Sequence, residues 1–69
     1  MTFGQKMKIR RQELGYTQEE LAKKVSTTQP YVSRLERNNF NPSMKMIKSI
    51  ADALHISTDY LLFDDRKAV

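Results

Sequence analysis

Gln29, Pro30, Ser33, Arg34 and Arg37 are the side chains whose types and spacing suit a recognition chemistry. Positions 29, 33 and 37 step by four, as do 30 and 34, so on a helix they form one outward ridge. A glutamine amide sets a donor beside an acceptor and matches the edge of adenine. An arginine fork matches the two acceptors of guanine, serine bonds either kind of edge, and a proline ring can touch a thymine methyl. The chemistry is base reading in the major groove of DNA. An ordinary solvated face carries the same residue types, so the surrounding sequence has to decide.

The charge favours a polyanion. Twelve Lys and Arg against eight Asp and Glu leave +4. Residues 1–34 hold seven basic and three acidic side chains, whereas residues 35–69 hold five of each. The one-sided field suits nucleic acid, an anionic membrane or an acidic protein. Enzyme chemistry is poorly supplied. The absence of cysteine excludes disulfides and thiolate metal sites, and His55, the only histidine, excludes a multi-histidine site. No nucleophile has a base beside it, and the candidate acids and bases fall on helix caps, so neither catalysis nor a cofactor is expected. No apolar run approaches the roughly 20 residues of a transmembrane helix, and residues 1–11 contain no apolar core of a signal peptide. A soluble, intracellular protein is expected. Sixty-nine residues sustain one small core. Read from Met1, they leave no room for a ligand-sensing domain, so control is expected from concentration, proteolysis or a partner.

The elements that must position the ridge are helices, because strand alternation bounded by turn pairs is missing. A first helix is expected over residues 2–14, with Phe3, Met7 and Leu14 as its apolar stripe and Gly15 as a left-handed stop. Ile9 falls off the stripe and reads as a lone exposed aliphatic. Thr17 and Glu20 match a capping box, opening a second helix that runs to residue 25 and buries Leu21, Ala22 and Val25. Thr28 caps a third helix with Pro30 in its first turn, where a missing N–H costs little. That helix buries Val32 and Leu35 and ends near Arg37. Asn41 and Pro42 read as cap and first residue of a fourth helix with the stripe Met44, Ile47, Ile50, Ala51 and Leu54. Ser57 caps a short fifth helix. The expected domain is residues 1–63, with a frayed polar tail over 64–69.

Two short helices with about three residues between them have helix-turn-helix spacing. Small Ala22 lets the pair approach steeply, while Val32 and Leu35 anchor the second helix and leave its ridge outward. Gly15, Tyr16, Thr17, Gln18, Glu19, Glu20, Leu21 and Ala22 carry a family resemblance together with Val25, Gln29, Val32, Ser33, Arg34, Leu35 and Glu36. Asn41, Pro42, Ile50, Ala51, Asp52, Ala53, Leu54, Tyr60, Leu61 and Leu62 extend it. With these residues the chain resembles the Xre family, the lambda-repressor and Cro-like regulators of bacteria and phages. The resemblance spans residues 3–63. It implies an all-α, compact five-helix domain that binds double-stranded operator DNA, commonly as a symmetric homodimer, in the bacterial cytoplasm.

Carried over by position, the resemblance places Thr28, Gln29, Pro30, Ser33 and Arg34 on bases. It places Gln18 on phosphate at a helix start that already favours an anion, and Thr17 beside it is assigned the same role. It pairs Arg11 with Glu36 between the first and third helices. Ser26 stands where the family usually has glycine in the turn. Pro30 and Tyr31 stand where small or polar residues are common, so base reading is expected to lean on Gln29 and Arg34. Tyr31 is assigned equally to a phosphate bond or to shielding the helix start. Arg10, Arg37, Asn38 and Asn39 complete the phosphate set, while Lys6, Lys8, Lys23 and Lys24 divide between phosphate contact and solubility. Phe40 reads as a core plug, and His55 as a cation ending the fourth helix.

The expected function is transcription regulation by repression or autoregulation. The dimer interface is expected at Leu54, Ile56, Tyr60 and Phe63, with Leu61 and Leu62 partly closing the core. The rival expectation is an antitoxin-like module that binds a toxin partner and also its own operator.

Overall fold

In the computed structural model, which describes residues 1–39 and 41–63, every helix starts on a Ser or Thr hydroxyl. The helices are α1 (Phe3–Glu13), α2 (Gln18–Lys24), α3 (Gln29–Glu36), α4 (Met44–Leu54) and α5 (Thr58–Leu62). No strand occurs among the described residues. Their caps are Thr2, Thr17, Thr28, Ser43 and Ser57, each accepting from the backbone amide three residues on. Thr17 and Glu20 close the expected capping box, and Thr2 with Gln5 closes a second one.

The first four helices also end alike. Gly15, Ser26, Asn38 and His55 take left-handed backbone angles, with φ of 79°, 60°, 60° and 58°. In each case the next amide reaches back five residues: Tyr16 to Arg11, Thr27 to Ala22, Asn39 to Arg34 and Ile56 to Ala51. This closure satisfies carbonyls that a helix end would leave bare. Only Gly15 holds the conformation without a Cβ penalty, which for the other three is about 1–2 kcal/mol. Ser26 therefore holds the left-handed turn where the resemblance leads one to expect glycine.

The core gathers Met7 of α1, Leu21 and Ala22 of α2, and Val32 and Leu35 of α3. Val25 beyond α2, Ile47, Ile50, Ala51 and Leu54 of α4 and Leu61 of α5 complete it. Helix α1 runs through the centre and touches α3, α4 and α5, while α2 packs on α3. Its start abuts the end of α3. A Cβ added at Gly4 would lie 2.4 Å from the Glu36 carbonyl oxygen and 2.7 Å from that of Leu35, so this approach needs glycine.

Four expectations are corrected. Asn41 and Pro42 precede α4 instead of opening it; Ser43 is the cap, its hydroxyl accepting from the Met46 amide at 3.1 Å. Met44 therefore lies in the first turn, 60% exposed, outside the buried stripe. Leu54 is 0% exposed and serves the core, so it offers no surface to a second copy. Leu62 is largely exposed and does not close the core as Leu61 does. Phe40 and the tail 64–69 lie outside the described residues.

Candidate nucleic-acid interface

Helices α2 and α3 meet at a small residue. Ala22 is buried against α3, and Val25, Val32 and Leu35 fill the junction. The turn between them is closed by the Thr27 amide on the Ala22 carbonyl at 2.8 Å. With Val32 and Leu35 turned inward, α3 presents Gln29, Pro30, Arg34 and Arg37 as exposed side chains and Ser33 half-buried. The ridge read from the spacing is thus one outward face. Thr28 sits at its start, capping α3 through a 3.4 Å bond from the Tyr31 amide.

Behind this face runs a chain of polar contacts. Arg11 in α1 gives Glu36 two hydrogen bonds, Nε to Oε2 at 2.7 Å and Nη2 to Oε1 at 3.2 Å. Its Nη1 holds the Tyr16 carbonyl at 2.8 Å. Both partners are buried. Glu36 Oε1 also accepts Gln18 Nε2 at 3.0 Å. Gln18 Oε1 in turn accepts Gln29 Nε2 at 2.6 Å. The first residues of α2 and α3 are therefore joined side chain to side chain, a contact the sequence does not reveal because it depends on how the two helices cross. Thr17, beside Gln18, is exposed at the same helix start.

Three basic or amide side chains stand elsewhere than expected. Arg10 points away from the α3 face, its Nε on the Leu54 carbonyl at 2.9 Å and its Nη1 on Glu13 at 3.3 Å. It is the neighbour of Arg11 in sequence, and one helical step of about 100° turns it to a different side of α1. It stabilises the end of α4 and is not placed to hold phosphate. Asn38 is also corrected. Its Oδ1 accepts the Gly4 amide at 2.9 Å and its Nδ2 donates to Thr2 Oγ1 at 3.0 Å, so its amide caps α1. Asn39 remains exposed. Lys6 is 2% exposed. Its Nζ donates to the carbonyls of Tyr60, at 2.7 Å, and Phe63, and lies 5.0 Å from the Tyr60 ring centre. A signal for this existed: Lys6 falls three residues after Phe3 and beside Met7, on the buried side of α1. Tyr31 packs its ring against the core.

The dimer candidates divide. Ile56 is half-buried, while Tyr60 and Phe63 are exposed. Ile56 and Tyr60 line a cleft with Arg10, Glu13, Ser57 and Ile9. Ile9, 41% exposed, is thus part of an apolar corner and not the isolated aliphatic that its spacing suggests.

A helix pair with a small crossing residue, a closed turn and an outward polar second helix defines a helix-turn-helix. The chain belongs to that family: the Helix-turn-helix family model matches residues 7–61, and the class is the Xre, lambda-repressor-like one. Among similar proteins is the immunity repressor protein of Bacillus phage phi105, 34% identical over 65 residues, covering 94% of this chain and 45% of that protein. The P22 c2 repressor, solved in complex with a synthetic operator, matches with a TM-score of 0.90 at 31% identity, over 94% of this chain and 98% of that one. The complex of the SinR and SinI proteins matches with a TM-score of 0.86 at 33% identity, over 99% of this chain and 67% of that one. The chain spans about half the length of the curated relatives it matches.

Proposed function

We propose that residues 1–63 form a sequence-specific binder of double-stranded DNA and that the protein regulates transcription, acting as a repressor in the cytoplasm. It works by occupying a promoter and not by catalysis. Helix α3 enters the major groove. Gln29 and Arg34 read bases, Thr28, Pro30 and Ser33 line the same face, and Thr17, Gln18, Arg37 and Asn39 hold phosphates. The observation that carries this reading is the outward polar face of α3 above a turn closed by left-handed Ser26. The phi105 repressor's similarity supports repression, and the P22 c2 complex supports operator binding. Selection of bound duplexes from random DNA tests it. The wild-type chain enriches one motif. Gln29→Ala and Arg34→Ala each lose about 1–3 kcal/mol on that motif and relax preference at one position. Unselective binding by the wild type, or an unchanged motif in both variants, contradicts the proposal.

A second reading adds a protein partner at the corner formed by Ile9, Ile56 and Tyr60. It is favoured by the apolar exposure there and by the SinR–SinI complex among similar structures.

A further inference from the structure

We infer that Glu36, held by Arg11, is a positioning residue that sets the order of donor and acceptor which Gln29 offers to a base. The inference rests on the reading of Gln29 as a base contact and extends it to a buried pair with no access to DNA.

A carboxylate only accepts hydrogen bonds. Glu36 Oε1 therefore turns the NH₂ end of Gln18 toward itself, at 3.0 Å. The carbonyl end of Gln18 must then face the other way, and a carbonyl also only accepts. It turns the NH₂ end of Gln29 inward, at 2.6 Å. An isolated amide gains nothing by choosing one of its two flipped orientations, since its two ends are alike in shape. In this chain each link removes that choice from the next. Arg11 anchors the series, because its two bonds to Glu36 and its third to the Tyr16 carbonyl keep the carboxylate in place.

The consequence reaches the groove. Gln29 retains one N–H and its Oε1 for a ligand, in an order fixed from behind. Adenine offers an acceptor at N7 and a donor at N6, so a flipped amide meets donor with donor and acceptor with acceptor. Preorganisation of this kind also lowers the ordering cost of a long side chain on binding.

Glu36→Gln tests the direction of the series. With the new amide's oxygen on Arg11 Nε, 2.7 Å from Oε2, its NH₂ falls where Oε1 accepted both Arg11 Nη2 and Gln18, so the Nη2 bond is lost and a donor now faces Gln18. Gln18 must then turn its carbonyl inward, and Gln29 must follow by offering its own oxygen to Gln18. The order presented to DNA is reversed. Gln18→Met cuts the series without touching the buried pair.

The experiment is selection from random duplexes with the wild type, Glu36→Gln, Gln18→Met and Gln29→Ala, read as the ratio among the four bases at each position. That ratio does not depend on how much of a variant is folded. Gln29→Ala identifies the position that Gln29 reads. At that position alone, Glu36→Gln and Gln18→Met are expected to reduce the preference for the favoured base by about fivefold or more. Loss of the phosphate bond from Gln18 lowers affinity evenly across sequences and leaves the ratios alone. Wild-type ratios in both variants at a position that Gln29→Ala erases overturn the inference while leaving the base contact standing. Wild-type ratios in Gln29→Ala remove the base contact itself, and the inference with it.

Discussion

Glu36 and Arg11 sit in a nearly closed setting, with side-chain exposures of 3% and 10%. Removing one member strands the other charge away from water, a cost well above that of a surface pair. A double-mutant cycle of Arg11→Ala and Glu36→Ala by chemical denaturation should therefore give a coupling of at least about 1 kcal/mol; additive losses would mean that the contact carries no energy. The types and positions of these residues were legible in the sequence, because the family resemblance pairs them. Their continuation through Gln18 to Gln29 was not, since it needs the crossing of α2 and α3 in space. Lys6 and Asn38 were misread for a related reason. A lysine and an asparagine look alike whether they face solvent or cap a neighbouring helix end, and here they hold carbonyls at the end of α5 and an amide in the first turn of α1.

At the scale of the helix, the stops of the first four helices were read to within about a residue, and the starts were read except at α4. A hydroxyl three residues before an amide is a local signal, and it located α2, α3 and α5, while the cap of α1 at Thr2 went unread. It failed at α4, where Asn41 was read as the cap and the Ser43 hydroxyl takes that place. The left-handed residues that end α2, α3 and α4 are serine, asparagine and histidine, so no glycine announces them. Gly4 shows what a contact between helix ends demands. Gly4→Ala pushes a methyl group into the carbonyls of Glu36 and Leu35, rigid backbone atoms at the end of α3. The expected loss is about 1–3 kcal/mol, read as a lower thermal midpoint. An unchanged midpoint would show that α1 shifts away at no cost, and the packing of α1 on α3 would be looser than described.

For the whole molecule, we propose that the polar face of α3 meets DNA and that a second copy is one occupant of the apolar corner at Ile9, Ile56 and Tyr60. One small domain reaches one stretch of major groove, and two copies about a twofold axis double the contacts and fix a half-site spacing of about 34 Å. Arg10 and Glu13 flank the corner, and across a twofold axis the pair can face its own complement. Sedimentation on one operator duplex should show two chains at saturation, and Ile9→Glu, an exposed position, should leave the fold intact while favouring one chain per duplex. A single wild-type chain at saturation would remove the dimer. The most direct measurement for the central claim is a titration of the isotope-labelled chain with operator duplex, following backbone amides by NMR. The account predicts shifts concentrated at Thr17 and Gln18, along residues 28–34, and at Arg37 and Asn39. It predicts smaller shifts at Ile9 and Ile56, from pairing of copies alone. Unmoved amides along residues 28–34, with the shifts gathered on any other face, would contradict it.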